Sequence, residues 1–209
     1  MEIVFDFGGV LVDLDRQRCI DSFQKLGMDV APLIGAYKQN GIFAQLERGE
    51  IAVKDFCEQL RRLCHRADAT DEQICLAWES FLVGIPRERL QMLLRIRRHH
   101  GLSLLSNTNE IHRRMAETRL FNYEGRRMGD FFDHIFLSCT MGMEKPSPEI
   151  FETVAKQLGV PPKEILFLDD SEQNCAAARA CGWKALLAAS QDQWFAYFDA
   201  QGRLKARGE

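Results

Sequence analysis

The stretch Met1-Glu2-Ile3-Val4-Phe5-Asp6-Phe7-Gly8-Gly9-Val10 opens with a short apolar run, Ile3 to Phe5, that stops on an acid and a glycine pair. Four similar runs follow: Leu102 to Leu105, His134 to Leu137, Ile165 to Leu168 and Lys184 to Leu187. Apart from the His and Lys that open two of them, the runs are continuous rather than alternating. Strands buried on both faces read this way, as in a parallel sheet covered by helices. Helical patterns separate the later runs. One of them, Ile150, Val154 and Leu158, is opened by Ser147 as an N-cap and Pro148 at the first helical position. Strands alternating with helices indicate a doubly wound α/β core with a parallel sheet of about five strands.

The interval from Leu11 to Gly101 is too long for one crossover, and its patterns are helical. Phe56, Leu60 and Leu63 form one apolar stripe, and Ile74, Trp78, Phe81 and Leu82 another. Pro86 then opens a helix that serves as the crossover into Leu102. The chain is therefore expected to consist of an α/β core, residues 1–13 and 86–209, and a helical insertion, residues 14–85. The closing segment, Gln201 to Glu209, is polar and expected to fray.

With 209 residues, 46% hydrophobic and 27% charged, the chain can bury a core without staples. A net charge of -3 supplies no broad positive field, so neither nucleic acid nor a membrane surface is an expected partner. The basic cluster Arg95, Arg97, Arg98, His99 and His100 reads as cations at a helix C-terminus, which the helix dipole favours. The seven cysteines form no Cys-x-x-Cys pair, which points to reduced thiols and a cytoplasmic location. The N-terminus has neither the basic start nor the apolar stretch of a signal peptide, and no run approaches transmembrane length. The expected quaternary state is a monomer or homodimer.

Ligands of open parallel sheets bind at the carboxyl ends of the strands. There the chain places Asp6, then Ser106 and Asn107, then Asp169 and Asp170, with Lys145 in the loop Met141 to Pro146 after the third run. Taken singly, each is an ordinary turn former, cap or loop residue. Other phosphate signatures, G-x-x-x-x-G-K-[ST] and G-x-G-x-x-G, are missing from the sequence.

As an ordered set, these residues resemble the four motifs of the haloacid dehalogenase (HAD) superfamily. Ile3 to Val10 is similar to the first motif, Leu104-Leu105-Ser106-Asn107 to the second, Lys145-Pro146 to the third, and Phe167-Leu168-Asp169-Asp170-Ser171 with Asn174 to the fourth. The helical insertion matches the cap position of the family's first subgroup, and the whole is nearest to the sugar-phosphatase branch, glucose-1-phosphate phosphatases included. The resemblance implies a Rossmann-like core with a helical-bundle cap and a magnesium-dependent phosphohydrolase acting on small phosphorylated molecules. It implies Asp6 as nucleophile, and Asp6, Asp169, Asp170 and the main-chain carbonyl of Gly8 as magnesium ligands. Lys145, Ser106 and the Asn107 backbone amide would hold phosphoryl oxygens. The chemistry suits these residue types. A carboxylate can attack phosphorus and split one displacement into two. Magnesium favours hard oxygen ligands, and donors preset around the phosphoryl group stabilise its developing charge.

One position departs from the pattern. Most phosphatases of the family carry a second Asp two residues after the nucleophile, which protonates the leaving group; here that residue is Gly8. Loss of a general acid–base typically costs about 10² to 10⁴ in rate. Asp13, Asp15, Glu47, Arg48 and Glu50 are candidate substitutes. Two alternatives stand beside the phosphatase. One is carbon–halogen or carbon–phosphorus chemistry, since haloacid dehalogenases and phosphonoacetaldehyde hydrolases also lack the second Asp; the phosphonatase would need a cap lysine such as Lys25, Lys38 or Lys54. The other is a catalytically silent binding protein on the same scaffold.

Overall fold

The computed structural model describes residues 1–35, 38–188 and 192–205. Strands β1 (Glu2–Phe5), β2 (Asp13–Leu14), β3 (Leu82–Gly84), β4 (Gly101–Ser106), β5 (His134–Leu137), β6 (Ile165–Asp169) and β7 (Lys184–Leu187) form two sheets. The larger is five-stranded, in the order β5-β4-β1-β6-β7, and every pairing in it is parallel. It contains all five apolar runs. His134 and Lys184, the two polar interruptions, open the edge strands β5 and β7 and are exposed. The uninterrupted Ile3 to Phe5 run lies at the centre and is wholly buried.

The side chains of β1 alternate between two cores. Ile3 and Phe5 join Leu102, Leu104 and Leu168 on one face, while Val4 joins Leu105, Ile165 and Phe167 on the other. The second face is covered by α9 (Pro148–Leu158) and α10 (Glu172–Ala180), whose Ile150, Phe151, Val154, Cys175 and Ala178 are buried there. Pro148 sits at the start of α9 as expected, but the Ser147 side chain makes no capping bond. The crossover α5 (Arg87–Ile96) follows Pro86. Near its end Arg97 pairs with Asp133 at 2.7 Å.

Helices α1 (Arg16–Lys25), α2 (Gly41–Glu47), α3 (Val53–Leu63) and α4 (Asp71–Glu79) fill the interval between β2 and β3. β2 and β3 pair antiparallel where the chain leaves and rejoins the sheet. Phe43 centres this bundle, with ring centroids 5.8 Å from Phe23, 5.0 Å from Phe56 and 4.8 Å from Trp78. Each such ring contributes about 1.5 to 3 kcal/mol on full burial. Two stripe assignments need correction. Leu63 is exposed because it ends α3, beyond the packed turn. The second stripe is helical only to Trp78, since α4 stops at Glu79 and Leu82 belongs to β3.

The remaining helices are α6 (Glu110–Met115), continued by a π-turn from Ala116 to Leu120, α7 (Met128–Phe131) and α8 (Ser138–Met141). The polar tail is not frayed at its start. Asp199 accepts from the amides of Gln201 and Arg203, and Phe198 bridges to Leu204. Residues 206–209 lie outside the described residues. All seven cysteines are free thiols. No helix among the described residues is long and apolar enough to cross a membrane.

Candidate active site

The site forms where β1, β4 and β6 end side by side. The amide of Asp6 donates to Leu168 O at 2.8 Å, extending the β1–β6 pairing one step past the strand. That bond sets Asp6 beside Asp169. Lys145 Nζ donates to Asp6 Oδ1 at 2.7 Å, to Asp169 Oδ2 at 2.6 Å and to Leu105 O at 3.1 Å. An ammonium offers three donors and no acceptor, so this lysine is fully satisfied.

The other atoms are held as tightly. Asn107 clamps the Lys145 backbone: its Oδ1 accepts from Lys145 N and its Nδ2 donates to Lys145 O, both at 2.8 Å. Both polar atoms of the Asn107 side chain are thus occupied. The Ser106 hydroxyl is buried and, among the described residues, makes only a 3.4 Å contact to Asn107 O. Asp169 accepts from Ser171 N at 2.8 Å and from Asn174 Nδ2 at 3.0 Å as well as from Lys145. Asp170 lies against Gly9, where an added Cβ would come within 2.1 Å of its Oδ2. Gly9 has φ +74° and approaches the carboxylate closely, so both demands call for glycine.

Carboxylate oxygens of Asp6, Asp169 and Asp170 lie within 4.8 Å of one another. Burial pushes the Asp6 carboxyl up to about 8, with Lys145 pulling it down and Asp169 and Asp170 adding to the rise. Burial, then Asp169, lifts Asp170 to about 6. Burial also opposes the charge of Lys145, but Asp169 and Asp6 outweigh it and hold the ammonium above the usual lysine range. Three acids against one ammonium leave the cluster short of positive charge. A hard divalent cation fits this donor set on those grounds.

The pocket above the cluster is lined by Gly8, Ser106, Asn107, Thr108 and Asn174 and, from the segment between β2 and β3, by Lys38, Gln39, Glu47 and Phe81. The candidate substitutes for the missing acid separate here. Asp13 is bound to the buried Arg89 at 2.6 Å. Asp15 caps α1, accepting from Arg18 N at 2.8 Å. Arg48 and Glu50 pair with each other at 2.6 Å. Of the five, Glu47 is the one that lines the pocket. Lys25 and Lys54 are exposed and off the pocket, while Lys38 stands at its edge, 4.0 Å from Glu144.

Ser138 and His112 were not anticipated. Ser138 follows β5, so the strand-end rule that found Ser106 also points to it. Its buried hydroxyl accepts from Thr108 N at 2.9 Å and lies 2.6 Å from Glu47 O and 3.0 Å from Thr108 O. His112 lines the pocket, yet both ring nitrogens are engaged, Nδ1 by Asn109 at 3.2 Å and Nε2 with Trp78 O at 2.9 Å. Burial drives it down to about 4, so it is a neutral strut between α6 and α4 rather than an acid or base.

Residues 3–182 match the family model of haloacid dehalogenase-like hydrolases. The chain is 37% identical over 193 residues to the D-ribitol-5-phosphate phosphatase of Bacteroides thetaiotaomicron, covering 92% of this chain and 93% of that protein. It is 30% identical over 184 residues to a sesquiterpene phosphatase of Aspergillus oryzae, covering 88% and 87% respectively. Among solved structures, a HAD-family enzyme of B. thetaiotaomicron in complex with magnesium and inorganic phosphate superposes with a TM-score of 0.90. It is 38% identical, over 95% of this chain and 98% of that one. The chain belongs to the haloacid dehalogenase-like hydrolase family.

Proposed function

We propose that this protein is a magnesium-dependent phosphohydrolase of small phosphorylated metabolites, polyol and sugar phosphates first among them, working through an aspartyl-phosphate at Asp6. One observation carries the reading: Lys145 joins Asp6 to Asp169 while Asp170 converges on the same point beneath an open pocket. Asp6, Asp169, Asp170 and the main-chain carbonyl of Gly8 would hold magnesium, which when bound neutralises the carboxylates and phosphoryl oxygens. Helices α1 to α4, within residues 14–85, act as the cap over the pocket.

The chain's own groups divide the work. Asp6 attacks phosphorus, and Lys145 pulls its carboxyl back toward the ionised form against burial. The Ser106 hydroxyl and Asn107 amide bind phosphoryl oxygens. Asn174 and Ser171 N fix Asp169, so that Lys145 is held from both sides. A metal-free dehalogenase fits less well, because it leaves the repulsion among three converging acids unrelieved. The phosphatase named among the relatives supports a linear polyol phosphate as substrate.

The test is a panel of phosphate esters assayed with magnesium and with chelator. Turnover is expected with magnesium alone and is lost in Asp6→Asn. No turnover of any ester with magnesium would refute the proposal. Chelator-resistant halide release from 2-haloacids would select the dehalogenase instead.

A further inference from the structure

We propose that Glu47 is the general acid–base of the reaction, presented to the pocket by the C-terminus of α2 in place of the side chain that Gly8 lacks. The inference rests on the phosphohydrolase reading and adds to it the residue that moves the proton.

Three features of the fold bring Glu47 to the pocket. It is the last residue of α2, a helix anchored by buried Phe43, Ala44 and Leu46. Its carbonyl is 2.6 Å from the Ser138 hydroxyl, the same hydroxyl that receives Thr108 N from the loop after Ser106. One side chain thus registers the end of α2 against the phosphate-binding loop. Gly49 completes the attachment. It has φ +68°, and an added Cβ would lie 2.1 Å from Cys139 O, so the chain after Glu47 passes directly over α8. The other acids from that segment considered as substitutes are bound elsewhere, leaving Glu47 as the one on the pocket wall.

Its surroundings suit an acid. Burial, then Glu144, pushes the Glu47 carboxyl up to about 8, against the pull of Arg48. The negative end of the α2 dipole acts in the same direction. Among the described residues, the other ionisable groups around it are Lys38, Cys139 and His112, beyond the Asp6–Lys145–Asp170 centre itself. Glu144, the second carboxylate of the wall, lies 4.0 Å from Lys38 and 3.9 Å from Arg48. A carboxyl raised toward its protonated form on the pocket wall is the group that general acid catalysis needs.

The proton balance closes over two steps. As Asp6 Oδ bonds to phosphorus, the ester P–O bond breaks and the leaving oxygen takes the Glu47 proton. The Glu47 carboxylate then takes a proton from water as the water oxygen attacks phosphorus. The P–O bond to Asp6 breaks, phosphate leaves, and Glu47 is protonated again.

Glu47→Gln keeps the shape and removes the proton. In that variant p-nitrophenyl phosphate, whose leaving group needs no acid, is expected to give a burst of one p-nitrophenolate per active site. Turnover after the burst falls by about 10² to 10⁴, and an alkyl phosphate falls as far with no burst. Wild-type kcat/KM is expected to decline above about pH 8, and that decline should vanish in the variant. Gly8→Asp placed in the Glu47→Gln background should restore alkyl-phosphate turnover at least about tenfold, and Gly8→Ala should not. The added Cβ at residue 8 meets only the Leu14 side chain, with Cδ1 nearest at 3.3 Å, so a Cβ needs no more than a small shift of that flexible side chain. Alkyl-phosphate turnover within about threefold of wild type would overturn the assignment. So would equal losses on both esters without a burst or rescue, which would mark a merely structural residue. Wild-type activity lost in Asp6→Asn stands apart from these outcomes, so failure of the Glu47 assignment leaves the phosphohydrolase reading in place. A Glu47→Gln protein that does not fold would be replaced by Glu47→Ala, where the burst and its rescue by Gly8→Asp decide in the same way.

Discussion

Lys145→Met tests the electrostatics of the site directly. The ammonium is buried and joins Asp6 at 2.7 Å and Asp169 at 2.6 Å. Methionine preserves much of the chain volume and removes the charge, leaving three acids within 4.8 Å of one another. Removing one partner of a buried ion pair costs about 3 to 5 kcal/mol. For a chain of this size each kcal/mol lowers Tm by about 2 to 4 °C, so the expected drop is roughly 6 to 20 °C in metal-free buffer.

The sign of the pH dependence makes the test sharper. Without the ammonium the Asp6 carboxyl, already raised from 3.8 to about 8, rises further. A folded state that binds protons the unfolded chain has shed gains stability as pH falls and loses it as pH rises through the folded value. The deficit of Lys145→Met relative to wild type should therefore be widest above pH 8 and shrink toward pH 4. Magnesium should raise the Tm of the variant more than that of wild type, because it has more repulsion to relieve. Thermal melts across this pH range, with and without magnesium, measure all three. A deficit under about 1 kcal/mol, or one independent of pH, would refute the account of the site as a charge cluster held by Lys145.

Two further outcomes follow from the same geometry. Gly9→Ala places a Cβ 2.1 Å from Asp170 Oδ2 at φ +74°, so magnesium affinity by titration calorimetry should fall at least about tenfold, whereas Gly8→Ala should leave it within about threefold. Equal affinities in the two variants would sink the role of Gly9 in seating Asp170. His112, neutral down to about 4 against an ordinary 6.5, should make wild type lose about 2 kcal/mol of stability between pH 7 and 5. His112→Gln should lack that component, and denaturant curves that stay parallel over the range would show that His112 does not titrate across folding.

The sheet was legible in the sequence because its strands are buried on both faces. Ile3 to Phe5 needs no partner to be read as a central strand, and even the polar openings, His134 and Lys184, mark edges. Periodicity misled where a helix ended on tertiary grounds: Phe81 and Leu82 continue the spacing of Trp78, but the chain turns into β3 to pair with β2. The residues at the strand ends were legible for a related reason. Strand position alone brings Asp6, Ser106 and Asp169 together, and no side-chain detail is needed.

The acid–base group belongs to the other kind of information. Asp13, Asp15, Glu47 and Glu50 are equally plausible donors in one dimension, each within a polar turn or helix end. What separates them is the partner each meets: Arg89 for Asp13, the α1 amides for Asp15, Arg48 for Glu50. Those partners are distant in sequence or set by local turns that periodicity does not report. Glu47 is distinguished by having no such side-chain hydrogen-bond partner among the described residues and by the Ser138 hydroxyl that fixes its backbone, a contact across 91 residues. Gly8 therefore need not mean a damaged phosphatase. A donor on the nucleophile loop stays beside Asp6 whatever the cap does, whereas a donor at the end of α2 reaches the pocket only while Ser138 and Gly49 keep α2 seated. Proton transfer then depends on the seating of α2, and a mutation at Ser138, which touches no reacting atom, should lower kcat while leaving the magnesium site intact.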